Sequence, residues 1–416
     1  MAALLGLLVV GYVSLAAFAT GPLWRSILRV AWSTLTSRHL TIAARARLLS
    51  YIALDLLLAP VRGALNLVDD ALFSGYRRTR VAAPVFIVGQ PRSGTTFLHR
   101  TLAEGGGFLS LTHLEWRYPF ICLWKLLDAT GLRKLVEAVD YWPNDAVGRA
   151  ARKMHEHRLG SYEEHGVFLE ERFYQHYFVF RRFPLPELLA PVSGFAELPP
   201  AAKARLLRGI RRAVRKAMYY RRSDRIWLTK ENESVEFYAL MAEVFPDARY
   251  VFIARDPGAF IDSYINLSVT STQAKTGLDP RRIPGWHEAN IAFRRAECRR
   301  MIAFSERVAQ TNPCVSIAFE DLVQDVDVVV PYVFERLGFA VTDDYAAHLA
   351  ELRRRQKRRE RGYENAAHNV AGFEFFADYV RRIRREYATA VRAAAGGRRS
   401  DGPSPGPGRR VDGRDG

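Results

Sequence analysis

The sequence predicts an α/β protein: a P-loop-like parallel sheet flanked by helices, with a helical insertion and an N-terminal membrane helix. Three observations carry this. Short apolar runs recur between helical patterns, at residues 85–88, 108–111, 225–229, 250–254 and 315–318. Such alternation folds as a parallel sheet covered on both faces, whose strands read as unbroken apolar stretches. The first run, Val85-Phe86-Ile87-Val88, passes into Gly89-Gln90-Pro91-Arg92-Ser93-Gly94 and a helix opening with Thr95-Thr96. Residues 1–24 carry no charged side chain and are long enough for a bilayer, which requires roughly 20 residues.

The 416 residues can bury a sizeable core. A net charge of +17 and a pI near 10.0, mostly from Arg, favour anionic partners: a nucleotide, a membrane surface or nucleic acid. An Arg-rich and Ala-rich compositional bias accounts for the same excess. Cys122, Cys298 and Cys314 lie far apart, so no disulfide framework or redox pair is implied. The ten histidines contain no His-Glu-x-x-His pattern, and no metal site is expected. There are no internal repeats.

Residues 1–24 are the expected transmembrane anchor. No Lys or Arg precedes its apolar body, unlike a cleaved signal peptide. Arg25, Arg29, Arg38, Arg45 and Arg47 follow it, and the first acid is Asp55. The positive-inside rule then leaves the bulk of the chain in the cytoplasm. A cleaved signal and a hydrophobic surface helix are the alternatives. Residues 25–80 form an amphipathic helical linker. Its apolar stretch at 48–72 is interrupted by Asp55, Pro60, Arg62, Asp69 and Asp70, which suits a helix lying on the membrane or on the domain rather than a second crossing. A globular α/β domain spans 81–395. From 396 to 416 the composition collapses to Gly, Pro, Ser, Asp and Arg, a disordered tail.

Within the domain, the helix opened at Thr95 stops at Gly105-Gly106-Gly107. Residues 116–192 are rich in aromatics and mixed charges, with helical patterns at 121–129 and 168–180, and read as the helical insertion. A basic helix at 200–222 turns its Arg and Lys mostly to a solvated face. The strand at 225–229 ends at Lys230, and a helix at 234–244 precedes the strand at 250–254. Asp256 as N-cap and Pro257 as first helical residue open the next helix.

A strand, a small-residue loop and a helix N-terminus together make an anion site, because free amides and the positive end of the helix dipole point into the loop. Gly94 lets the backbone approach a ligand, Thr95 and Thr96 add hydroxyls, and Arg92 supplies a planar fork for phosphate oxygens. The spacing is that of a Walker A loop, but Thr95 stands where nucleotide hydrolases carry Lys. The run Pro91-Arg92-Ser93-Gly94-Thr95-Thr96 resembles the 5′-phosphosulfate loop of the sulfotransferase family, which uses 3′-phosphoadenosine 5′-phosphosulfate (PAPS) as sulfonate donor. An ordinary strand-to-helix turn and a divergent nucleotide loop are the competing readings of this motif alone. Further on, Arg255 ends a buried strand and Ser263 follows inside the next helix. This resembles the family's 3′-phosphate site, and a bidentate cation plus a hydroxyl is a compact phosphate clamp. Phe319-Glu320-Asp321-Leu322 also resembles its counterpart in bacterial and membrane-bound members. The resemblance covers residues 84–339.

It implies in-line transfer of sulfonate from PAPS to an acceptor hydroxyl, without a metal, by a general base and by cations that stabilise the leaving oxygen. Arg92 suits the second task. Glu115 matches the location of the base in membrane-bound members, and its bland alternative is a surface carboxylate beside Trp116. His113 competes, because cytosolic members use a His. Glu163, Glu164 and His165 in the insertion are further candidates. Lys230 resembles the Lys of the family's Lys-x-Pro segment, although Glu231-Asn232-Glu233-Ser234 replaces the Pro-containing run. His99, one turn into the helix, reads as a packing residue. The basic cluster at 353–361 suits nucleotide phosphates, a solvated helix face or anionic lipid headgroups. Sequons at Asn232 and Asn266 sit beside the donor loops, where glycans would obstruct, in agreement with a cytoplasmic domain. Membrane proximity and the aromatic insertion favour a lipid or glycan acceptor. The rival readings are a nucleotide-dependent kinase or hydrolase, which needs a Lys at 95 and a Mg²⁺-holding carboxylate, and a basic membrane- or nucleic-acid-binding adaptor with a relict nucleotide fold. With the leading reading, no nucleic acid partner is expected.

Overall fold

The computed structural model describes residues 11–12, 24–105, 107–172, 174, 180–190, 194–195, 198–232, 234–357 and 371–400. Most of the expected anchor, and residues 401–416, lie outside them. Helices α1 (Trp24–Thr36) and α2 (Ile42–Leu72) lead into strand β1 (Val85–Gly89), and α3 (Thr95–Glu104) carries the chain to β2 (Phe108–Leu109). Short helices follow: α4 (His113–Arg117), α5 (Ile121–Ala129), α6 (Arg133–Glu137), α7 (Ala146–Met154) and α8 (Gly166–Glu170). Then come α9 (Pro200–Arg221), β3 (Ile226–Glu231), α10 (Val235–Val244), β4 (Arg249–Ala254), α11 (Pro257–Thr276), α12 (Trp286–Val308) and β5 (Cys314–Ala318). Helices α13 (Phe319–Gln324), α14 (Val326–Leu337), α15 (Asp343–Lys357) and α16 (Glu374–Ser400) close the fold.

The strands form one sheet in the order β2-β3-β1-β4-β5, and every pairing is parallel. Alternate side chains enter different cores: Val85 and Ile87 join Leu228, Val251 and Ile253 on one face, while Phe86 and Val88 join Trp227, Tyr250 and Phe252 on the other. Burial on both faces is why these strands lack polar alternation. Phe86 packs among Trp227, Tyr238 and Tyr250 at ring separations of 5.4, 5.7 and 5.7 Å. Strands β3 and β4 flank β1 on opposite sides, with Ile87 opposite Lys230 and Gly89 opposite Ile253. The loops leaving the carboxyl ends of β1 and β4 therefore meet at a topological switch, where open α/β sheets hold their ligands.

Three elements differ from the sequence reading. The run at 108–111 pairs only through Leu109, because the Ser110 carbonyl accepts from Arg221 Nη1 at 3.1 Å. The helix expected at 168–180 is the short α8, after which the Tyr174 amide returns to the Leu169 carbonyl (3.0 Å); residues 173 and 175–179 lie outside the described residues. Helix α2 starts at Ile42 instead of 48, with the Thr41 hydroxyl capping the Ala44 amide (3.1 Å).

The residues that interrupt the apolar run of α2 fasten it to the body. Asp69 accepts from the Ile121 and Cys122 amides (2.9 Å each) and pairs with Lys216 at 2.7 Å, while Arg62 bridges Asp55 and Glu171. Pro60 cannot donate to the Leu56 carbonyl, and the Tyr12 hydroxyl donates there and to Leu57 instead, both at 3.3 Å. Leu48 and Ile52 belong to the same core as Phe86, so residue 80 is not a packing boundary. The outer face of α2 leaves Leu54, Leu57, Val61 and Leu72 exposed. Among the described residues α2 is the one helix long and apolar enough to cross a membrane, with a mean hydropathy of 1.6 and 28% of that window buried.

Candidate active site

The loop after β1 turns sharply. The Ser93 amide donates to the Gln90 carbonyl (3.1 Å), and both Arg92 and Gly94 adopt left-handed backbone, with φ of 67° and 85°. For Arg92 that conformation costs about 1–2 kcal/mol, and three contacts hold it. Its Nε donates to Ser263 Oγ (2.9 Å), its Nη1 donates to the Met154 carbonyl (3.0 Å), and its own carbonyl accepts from Arg255 Nη1 (2.8 Å). Gly94 caps α3, and a Cβ there would sit 2.4 Å from the Phe319 ring, so only glycine passes beneath it. Ser93 is fully buried, and its hydroxyl has no hydrogen-bond partner among the described residues. The Thr95 hydroxyl accepts from Asn232 Nδ2 (3.1 Å), and Thr96 is half-buried beside it.

The loop after β4 converges on the same place. Arg255 lies over the Phe319 ring at 4.3 Å, and Asp256 caps α11 by accepting from the Ala259 amide (3.1 Å). Arg92, Arg255 and Ser263, drawn from two distant motifs, thus form one hydrogen-bonded group. Arg294, fully buried on α12, donates to Gln90 Oε1 and to the Asn232 carbonyl (3.2 Å each) and ties the first loop to the end of β3. Nothing in the sequence singled out Arg294, which lies in a run of arginines.

At the end of β3, buried Lys230 donates to Glu164 Oε2 at 2.5 Å. Burial alone would lower its pKa, but Glu164 and Glu163 outweigh it and hold the ammonium above its ordinary value. Glu163 faces His155 at 3.5 Å; against the cost of burial, His155 and Lys230 keep its carboxyl well below the usual range. His165 lies 3.2 Å from Thr229 Oγ1, and burial, then Lys230, pushes its pKa down to about 3. A cavity of about 40 Å³ opens among Glu163, Glu164, His155, His157 and Lys275. Burial pushes Lys275 down to about 7.

Glu115 does not meet this group. It is fully buried and closes a capping box with Thr112, whose amide donates to Oε2 (2.9 Å). Arg221 clasps both its oxygens, at 3.1 and 2.5 Å. His113 stacks on Tyr141 (5.1 Å) and meets His157 at a tilt (4.7 Å), and burial pushes it down to about 4. His99 is buried beside Tyr162, and burial, then Lys230, pushes it down to about 3, so it packs as a neutral ring. In the basic cluster, Arg353 pairs with Asp325 and Asp327 while Arg354 and Arg355 pair with Glu351; residues 358–361 lie outside the described residues.

The fold is similar to that of two mycobacterial enzymes. The crystal structure of sulfotransferase STF9 from Mycobacterium avium superposes with a TM-score of 0.63 at 18% identity, covering 91% of this chain and 95% of that one. Sulfotransferase STF1 from Mycobacterium tuberculosis H37Rv gives 0.53 at 16% identity, over 79% and 86%. No curated protein sequence matches. The model of the sulfotransferase family matches residues 84–343, more than half of the chain, including the loops that follow β1 and β4. The chain is therefore an enzyme of the sulfotransferase family.

Proposed function

We propose that this enzyme moves a sulfonate from PAPS to the hydroxyl of a lipid-like acceptor, with its catalytic domain at the cytoplasmic face of a membrane. Family membership implies PAPS as donor, and the residues fit it. The orphaned Ser93 hydroxyl, the glycine-only passage at Gly94 and the free amides at the start of α3 suit the 5′-phosphosulfate, with Thr95 and Thr96 beside them. Arg255 and Ser263 suit the 3′-phosphate, and Arg92 touches both halves. When bound, PAPS supplies the sulfonate and a leaving group that departs as the 3′,5′-bisphosphate.

The remaining roles follow from what each side chain can still do. The oxygens of Glu115 are committed to a helix cap and a guanidinium, so Glu164 is the better base: it meets Lys230 beside the small cavity. Glu164 would take the acceptor's hydroxyl proton while Lys230 and Arg92 stabilise charge on the leaving oxygen. The observation that carries this reading is the direct bond between the two phosphate motifs, Arg255 Nη1 to the Arg92 carbonyl at 2.8 Å. Incubation with radiolabelled PAPS and a membrane lipid extract tests it. Label should enter an extractable lipid with the parent enzyme and not with Arg92→Ala. Equal labelling by both would remove Arg92 from the site.

A further inference from the structure

A second cavity, of about 530 Å³, lies between α2 and α9 and is bounded by Ile27 of α1 and Phe168 of α8. Ten Lys or Arg side chains line it against two carboxylates, Asp55 and Glu171. We propose that this cavity binds the phosphate headgroup of an anionic phospholipid, taken from a membrane on which the outer faces of α1 and α2 rest.

The cationic excess is built in. Asp55, Asp69, Asp70 and Glu171 pair with Arg62, Arg77, Arg117, Arg212 and Lys216. No carboxylate among the described residues pairs with Arg172, Arg208, Arg211 or Arg215. Three of these stand one turn apart along α9, where like charges oppose helix formation by about 0.2–0.5 kcal/mol per pair. The sequence reading put the basic residues of this helix mostly on a solvated face; Arg208 is exposed as expected, but Arg211 and Arg215 are half-buried against the cavity, and their Nε atoms are buried without a hydrogen-bond partner among the described residues. Burial, then Arg62, pushes Arg172 down to about 9, and burial, then Arg211, also lowers Arg215. A phosphate is the ligand that would relieve this mutual repulsion.

The surroundings select a lipid as the source. Leu28, Trp32 and Leu35 recur at helical spacing on the outside of α1, and Leu54, Leu57, Val61 and Leu72 do so on α2. Trp32 is 68% exposed and Leu57 59%. Two bare apolar stripes beside a cationic cavity match the apolar interior and anionic surface of a bilayer.

Titration calorimetry on the full chain in non-ionic detergent tests this with soluble dihexanoyl phosphatidylglycerol, dihexanoyl phosphatidylcholine and inorganic phosphate. The anionic lipid should bind at least tenfold more tightly than either of the others. Arg211→Gln with Arg215→Gln should weaken it at least tenfold, whereas Arg354→Gln with Arg355→Gln, an equal loss of charge on exposed α15, should not. Stabilisation by 3′,5′-bisphosphoadenosine, unchanged in all variants, shows that the protein is folded and the donor site intact. Equal binding of the two lipids, equal loss in both double variants, or binding of phosphate as tightly as the anionic lipid would each overturn the assignment.

Discussion

Ser93 keeps its hydroxyl in the interior with no partner among the described residues, a cost of about 1–3 kcal/mol that the proposed phosphate would offset. Stability and binding should therefore respond to Ser93→Ala in opposite directions. Thermal melting of the free enzyme should hold or rise, while calorimetry should show the 3′,5′-bisphosphate nucleotide bound about 10–100-fold more weakly, the equivalent of one charge-assisted hydrogen bond of about 1.5–3 kcal/mol. Glu115 and Glu164 separate in a related way. Glu115→Gln leaves Arg221 without its buried carboxylate and should lower stability by about 3–5 kcal/mol in urea unfolding. Glu164→Gln should instead lower kcat by about 10²–10⁴-fold while the nucleotide still binds. The buried histidines set the acid response. For His113, held at about 4 against an ordinary value near 6.5, the unfolded chain binds protons between those values that the native protein does not. Stability is then complete above pH 6.5 and falls as pH drops toward 4. His99 and His165, at about 3, extend that window downward. A melting profile that His113→Phe leaves equally steep would contradict this. Sequence distance pointed to Glu115, yet Thr112-His113-Leu114-Glu115 is also a capping-box pattern, and that local signal describes the buried carboxylate.

Among the elements, the central strands β1 and β4 were the most legible, because both are buried on both faces. The loop after β1 was legible for the opposite reason, as a departure from what packing requires. The insertion was not. Helices α4, α6 and α8 span five residues each, too short for a periodic signal, and long-range partners fix them; Arg221 holds α4 from 106 residues away. Helix α2 was readable as amphipathic, but which surface took its polar residues was not, since membrane and protein bury an apolar face alike. Its dependence on Asp69 gives a direct test. Asp69→Ala strands Lys216, which is 1% exposed, and uncaps α5. Urea unfolding should register a loss of about 3–5 kcal/mol; a loss below about 1 kcal/mol would mean that α2 is not fastened to the body through this contact.

At the scale of the whole molecule, sheet topology does what no single motif could. Placing β3 and β4 on either side of β1 brings residues 92, 230, 255 and 263 to one edge of the sheet, with Arg255 bonded to the Arg92 loop, Arg92 bonded to Ser263 and a carboxylate beside Lys230. The face carrying α1 and α2 offers a separate apolar and cationic surface, which suits an enzyme that finds its acceptor in a membrane. The central claim, that Arg92 and Arg255 grip one bisphosphorylated adenosine, is tested most directly by titrating 3′,5′-bisphosphoadenosine into the parent enzyme, Arg255→Ala and Arg92→Ala, with ATP–Mg²⁺ as comparison. The account predicts binding by the parent, a loss of about 10–100-fold in each variant, and weaker binding of ATP–Mg²⁺. Undiminished affinity in either variant, or a preference for ATP–Mg²⁺, would contradict it.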